Sequence, residues 1–192
     1  MRKSLLVILL FAAAAAYAQT YSPTWQSLDT RAVPQWYKDV KFGIFIHWGV
    51  YAVPAYTRKG SYAEWYQNGL NSGDSDKIKY QQEKFGSRTY YQLADDFKAE
   101  LFNPDEWAKV FEQSGAKYIV LTSKHHDGFC LWPSKEANHD WGFAWNAADV
   151  GPHRDLLGDL FKAVRKTSVH AGMYYSLYEW YNPLWLKDKQ QY

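Results

Sequence analysis

A parallel α/β fold whose sheet is covered on both faces is what this sequence of 192 residues predicts. Three observations carry that reading. Between Lys117 and Phe129 the chain opens with Tyr118 to Leu121, β-branched, aromatic or aliphatic with no polar alternation; such runs are strands buried on both faces, as in sheets flanked by helices. Two other short runs, Lys41 to Gly49 and His170 to Ser176, have a similar composition, and helical patterns separate the three. Ionisable groups gather where two of the runs end: His47 after the first, and Lys124, His125, His126 and Asp127 after the central one. The carboxyl ends of parallel strands are where α/β folds place their sites.

In chain order, Arg2 and Lys3 precede an apolar run from Leu5 to Ala16, and Ala16-Tyr17-Ala18 supplies a small-x-small cleavage pattern. Residues 1–18 read as a secretory signal peptide, with an apolar core shorter than the roughly 20 residues a membrane span needs. Residues 19–192 then form one unit. Pro34 to Asp39 suggests a single helical turn with proline at its first position. In the first strand Phe42, Ile44 and Ile46 share one face, and Gly43, Phe45 and His47 the other. Val50 to Ser87 shows no clear period and reads as a long functional loop. Tyr90, Leu93, Ala94, Phe97 and Leu101 mark a helix face. Asn103-Pro104-Asp105-Glu106 combines a cap, a first-position proline and an acid, ahead of Trp107, Val110, Phe111 and a stop at Gly115. A second aromatic loop runs from Phe129 to Pro152, and Leu156, Leu157, Leu160, Phe161 and Val164 define an amphipathic helix.

The order of strand, helices, strand, helix, strand fits an open α/β sheet or a (β/α)8 TIM-like barrel. An open sheet would need a phosphate-binding glycine turn after the first strand, whereas Trp48-Gly49-Val50-Tyr51 stands there. The barrel is favoured, and the chain carries about the first three of its strand–helix units.

Composition narrows the function. There are 22 Lys and Arg against 20 Asp and Glu; Arg2 and Lys3 belong to the signal, and without them each sign counts 20. A neutral mature chain gives no electrostatic case for a nucleic-acid or anionic-membrane partner. Cys130, the single cysteine, cannot form an internal disulfide on an oxidising route and reads as a buried thiol. Ten Trp, 16 Tyr and 10 Phe exceed what a core requires. Many cluster in polar stretches, at Tyr62 to Tyr66, Trp132, Trp141 to Trp145 and Tyr178 to Tyr181. Rings beside carboxylates and amides suit a ligand with apolar faces and hydroxyl edges, which describes a sugar.

His47, His125 and His126 could bind zinc, exchange hydrogen bonds or act as acid and base. Zinc needs three or four convergent ligands, and adjacent histidines on a regular strand point to opposite faces. No metal or other cofactor is therefore expected, and neutral histidines that donate to and accept from sugar hydroxyls fit better.

Five blocks in order carry a family resemblance: Lys41 to Gly49; Ser61 to Tyr66; Tyr118 to Phe129 with Leu131 to Lys135; Arg154 to Leu160; and Gly172 to Ser176. Together they resemble the α-L-fucosidases of glycoside hydrolase family 29, from about Val33 to Tyr181. The resemblance implies a barrel-related catalytic domain and a retaining mechanism that releases terminal α-linked L-fucose. It implies that His47, His125 and His126 contact fucose hydroxyls, that Glu64 and Trp65 match sugar-site positions, and that Tyr174 matches the tyrosine at the third strand end. The partner it implies is a fucosylated glycan; the signal peptide separately implies secretion through a Sec-type pathway, to the cell exterior, a periplasm or a lysosome.

The resemblance also places the nucleophilic aspartate and the acid/base glutamate beyond Tyr192. Retaining hydrolysis needs two carboxyl groups roughly 5 Å apart, and Glu64 is the one carboxylate here expected against the sugar. Asp127 is expected to fix the turn before Gly128 or orient a histidine, and Glu179 to sit on the rim. The chain alone is thus expected to be inactive. The rival readings are a non-catalytic fucose-binding protein and a zinc hydrolase built on the three histidines.

Overall fold

The computed structural model describes residues 21–190; the expected signal peptide, 1–18, lies outside them. The chain divides into two units, Met1–Val40 and Lys41–Tyr192. In the first, Thr24 caps the short helix α1, Trp25–Leu28, accepting from the Ser27 amide. A second short helix, α2, spans Gln35–Asp39. Pro34 is its N-cap, in an extended conformation, so the helix starts one residue later than expected.

The second unit is built on three parallel strands in the order β1-β2-β3: β1, Gly43–Ile46; β2, Tyr118–Lys124; and β3, His170–Tyr175. Ile44 pairs with Ile119 and Ile46 with Leu121, while Ala171 lies opposite Ile119 on the other side of β2. Gly43 pairs with Tyr118, whose ring passes so close that a Cβ on Gly43 would sit 2.3 Å from it.

One face of this sheet is covered. Ile119 and Leu121 are fully buried, with Ile44, Ile46 and Ala171 packed against the same core. That core is closed by helices α5, Pro104–Gln113, and α7, Leu156–Val164, which pack on each other. The Asn103 cap is the one the sequence predicts, its side-chain oxygen accepting from the Glu106 amide at 3.3 Å; α7 is capped by the Asp155 carboxylate, which accepts from the Gly158 amide at 2.8 Å. The other face departs from expectation. Phe45 is 51 % exposed and Val120 only half-buried, so burial on both faces does not hold among the described residues.

Three segments expected to be irregular or differently folded require correction. Val50 to Ser87 contains helices α3, Tyr66–Ser72, and α4, Ser75–Phe85. The buried residues of α4 are Lys77 and Gln81. Lys77 donates to the carbonyls of Tyr62 at 2.9 Å and Trp65 at 3.3 Å, and Gln81 donates to Arg88 O at 2.8 Å while accepting from the Tyr66 hydroxyl. A helix that buries an ammonium and an amide leaves no apolar period to read. From Tyr90 to Leu101 the predicted helix is only a 3-10 turn, Tyr91–Asp96, and Leu101 is 94 % exposed. Phe97 and Phe102 both pack on Trp48, at 5.3 and 5.0 Å; on one continuous helix residues five apart point about 140° away from each other, so the helix must break. The second aromatic loop holds helix α6, Lys135–Trp141, capped by Ser134, and a last short helix α8 spans Pro183–Lys187. No helix among the described residues is long and apolar enough to cross a membrane.

Candidate active site

The segment that follows β1 is tied to β2: the Trp48 amide donates to Thr122 Oγ1 at 3.1 Å, and the Tyr51 hydroxyl lies 3.0 Å from the same atom. His125 and His126 follow β2, whose pairing with β3 is irregular between Thr122 and Lys124. The two histidines begin a tight turn in which the Gly128 amide donates to His125 O at 3.0 Å, and Gly128 has φ +77°. They are not on a regular strand, so the opposite-face expectation does not apply. Their rings are 4.9 Å apart, and His47 stands 5.6 Å from His125.

Aromatic rings wall the cluster. Tyr174, at the end of β3, is 6.0 Å from His125, and its hydroxyl is 3.4 Å from His126 Nε2. Trp65 lies 6.3 Å from His126 and 5.1 Å from Trp180, which itself packs 5.0 Å from His126. Glu64, half-buried before Trp65, acts on Tyr51, whose ring is 5.4 Å from His125. The structure thus assembles His47, His125, His126, Trp65 and Tyr174, with Glu64 next to Trp65 in the chain.

Burial sets the charge states here. The His125 side chain, 5 % exposed, has its pKa lowered to about 3 by burial and then by His126 and His47. It is a neutral ring at ordinary pH, with Nδ1 buried and unpartnered. Asp127, 1 % exposed, is raised to about 6 by burial, although the Tyr90 hydroxyl at 2.7 Å and the Phe129 amide at 3.2 Å both favour its charged form. The bond to Phe129 fixes the turn around Gly128, one of the two roles expected for Asp127. Cys130 is buried as predicted, its thiol pushed up to about 12.

One expectation about a charged group fails. Glu179 is not on the rim: it is 6 % exposed and ion-paired with Lys124, itself 5 % exposed and therefore not a solvent-facing site group. Burial opposes the Lys124 charge, but Glu179 offsets this and holds the ammonium above its ordinary pKa. Trp180 and Ser176 belong to the site although no role was assigned to either. The aromatic run Tyr178 to Tyr181 signalled the first by composition, and nothing distinguished the serine. Among the described residues no group of three His, Cys, Asp or Glu is arranged to hold a metal ion.

Fold and cluster together define a parallel α/β protein with three histidines, the buried His125 neutral, and aromatic walls gathered at one end of its sheet. The family model described as Alpha-L-fucosidase matches residues 8–192. An alpha-L-fucosidase from Dictyostelium discoideum is 46 % identical over 177 residues, covering 90 % of this chain and 37 % of its own length. The tissue alpha-L-fucosidase of Homo sapiens is 43 % identical over 194 residues, 97 % of this chain and 40 % of that protein. The crystal structure of Thermotoga maritima alpha-fucosidase in complex with fucose is 44 % identical, with a TM-score of 0.76 over 84 % of this chain and 39 % of that one. The chain belongs to the alpha-L-fucosidase family, glycoside hydrolase family 29. It spans about two fifths of the length of these relatives.

Proposed function

We propose that the protein carrying this chain is a secreted, retaining glycosidase that hydrolyses terminal α-linked L-fucose from glycans or glycoconjugates. His47, Glu64, Trp65, His125, His126 and Tyr174 form part of its fucose site, at the carboxyl end of a (β/α)8 barrel whose first three strand–helix units lie here. The observation that carries the reading is the convergence of three histidines and two aromatic walls at the strand ends of a chain of this family. Neutral imidazoles exchange hydrogen bonds with hydroxyls without the cost of desolvating a charge, and rings cover the apolar face of a pyranose.

Residues 1–18 direct the protein into the secretory route, and 19–192 are the amino-terminal part of the catalytic domain. The nucleophile and the acid/base come from outside this chain. Asp127 and Glu179 are held in buried hydrogen-bond networks, which leaves Glu64, next to Trp65 in the chain, as the carboxylate assigned to the sugar, and one carboxylate binds a sugar without performing a double displacement.

The test is hydrolysis of an aryl α-L-fucoside by the intact protein and by residues 19–192 alone. Turnover by the intact protein and none by 19–192 is expected. Turnover by both would place a complete carboxylate pair within these residues, against this assignment. An intact protein that binds fucose without turnover would make it a fucose-binding protein instead.

A further inference from the structure

His126 is the one histidine of the cluster whose ring is anchored from behind. Its Nδ1 lies 2.6 Å from Ser176 Oγ and 2.9 Å from the Tyr178 carbonyl oxygen. Ser176 Oγ in turn donates to that same carbonyl. A carbonyl can only accept, so the three contacts are satisfied together in one way. Nδ1 carries the proton and gives it to the two oxygens, while the serine hydrogen goes to Tyr178 O. A bare Nδ1 would set its lone pair against the carbonyl at 2.9 Å, and a ring turned over would offer carbon to both oxygens.

The anchor is itself held. Ser176 is 3 % exposed, and its amide donates to Lys124 O at 3.0 Å, at the end of the central strand. The Trp180 amide donates to His126 O at 2.9 Å, and the Trp180 ring lies 5.0 Å from the imidazole at a tilt of 35°. The segment after β3 thus grips both the backbone and the ring of His126. On the other side of the ring Nε2 meets, among the described residues, only the Tyr174 hydroxyl, at the long distance of 3.4 Å.

We infer that Ser176, with the Tyr178 carbonyl, fixes His126 as the Nδ1–H tautomer and so makes its Nε2 a hydrogen-bond acceptor for a hydroxyl of the bound sugar. The inference depends on the fucosidase reading only in naming the ligand. A histidine fixed in this way selects ligands that present a hydroxyl donor and disfavours those that present an ether or carbonyl oxygen at the same point, because two acceptors repel. Ser176 is a positioning residue: it acts through His126. The tautomer of a histidine is set by the partner of its other nitrogen, and here that partner is a serine and a main-chain carbonyl.

The experiment is nitrogen NMR on the intact protein labelled with 15N-histidine, above about pH 8 where imidazoles are neutral, with His126→Asn used to assign the ring. A protonated Nδ1 and a bare Nε2 are expected; a protonated Nε2 would overturn the inference. Ser176→Ala should shift the population toward the other tautomer and lower kcat/KM by roughly three- to tenfold, the effect of weakening one hydrogen bond. Ser176→Thr, which keeps the hydroxyl, should restore both. An unchanged tautomer with unchanged kinetics in Ser176→Ala would remove the serine from this role. If the intact protein hydrolyses no fucoside, the functional proposal fails, while the nitrogen spectra still decide the tautomer.

Discussion

Lys124 and Glu179 form an ion pair whose side chains are only 7 % and 8 % exposed, and it ties the end of the central strand to the segment after β3. The carboxylate also accepts from Trp141 Nε1 at 3.2 Å and Asn182 Nδ2 at 2.6 Å, and the ammonium lies 4.2 Å above the Tyr175 ring. Removing one member leaves the other charged and dry, which costs about 3–5 kcal/mol. Lys124→Ala and Glu179→Ala should each destabilise the intact protein by that order in denaturant unfolding. The neutral double variant Lys124→Met with Glu179→Gln should recover much of the loss. Additive losses in the double variant would mean that the two groups are not coupled.

Asp127 and His125, two positions apart, titrate with opposite consequences. The Asp127 pKa is raised in the fold to about 6, so the folded state holds its proton more tightly than the unfolded one. Its contribution to stability is full below the ordinary aspartate value and is lost as pH rises to 6. The His125 pKa is lowered to about 3, so its contribution is full above the ordinary histidine value and is lost as pH falls toward 3. Between pH 4 and 6 the two partly cancel. Asp127→Asn should expose the histidine term, giving a protein that loses stability more steeply on acidification than the wild type over that window. Urea midpoints at half-unit steps of pH would show it; parallel curves would refute the raised Asp127 pKa.

What the sequence revealed and what it hid divide along one physical line. The central strand β2 and helices α5 and α7 were legible because apolar side chains bury them, whereas β1 and β3, which hold no fully buried residue, were legible by composition. Helix α4 was not, since it is held by Lys77 and Gln81 reaching carbonyls and a phenol. The same blindness put Glu179 on the rim: a carboxylate in a polar, aromatic stretch looks solvent-exposed until Lys124, 55 residues away, is seen to pair with it. The histidines were identified by their place after strands. Their convergence depends on the turn at Gly128, which a rule for regular strands does not describe.

Gly151 and Gly73 share a left-handed backbone, φ +78° and +87°, but differ in surroundings. A Cβ at position 151 would lie 2.5 Å from Ala94 O and 2.7 Å from Phe97 O, main-chain atoms that cannot swing aside; at position 73 it would meet nothing within 4 Å. Gly73→Ala should cost only about 1 kcal/mol, the price of the backbone conformation. Gly151→Ala should cost roughly 2–4 kcal/mol, because overpacking adds to strain. Thermal unfolding of the two variants side by side checks the difference, and equal losses would contradict the close approach of the 94–97 turn to Gly151.

Trp65 separates recognition from stability in the proposed fucose site. It is 40 % exposed, yet its ring lies within 6.3 Å of His126 and 5.1 Å of Trp180, so its free face is available to a ligand. Its main-chain carbonyl accepts from Lys77 Nζ at 3.3 Å, a bond that survives loss of the ring. Trp65→Ala should therefore unfold at a midpoint close to the wild type while kcat/KM for an aryl α-L-fucoside falls roughly tenfold, the scale of one lost aromatic contact. Phe143 provides the comparison: it is 43 % exposed and packs with Tyr91, Trp141 and Trp145 instead of the histidines. Phe143→Ala should leave the kinetics unchanged. If both substitutions lowered activity alike, the effect would be a general loosening of exposed aromatic rings, and Trp65 would lose its place in the sugar site.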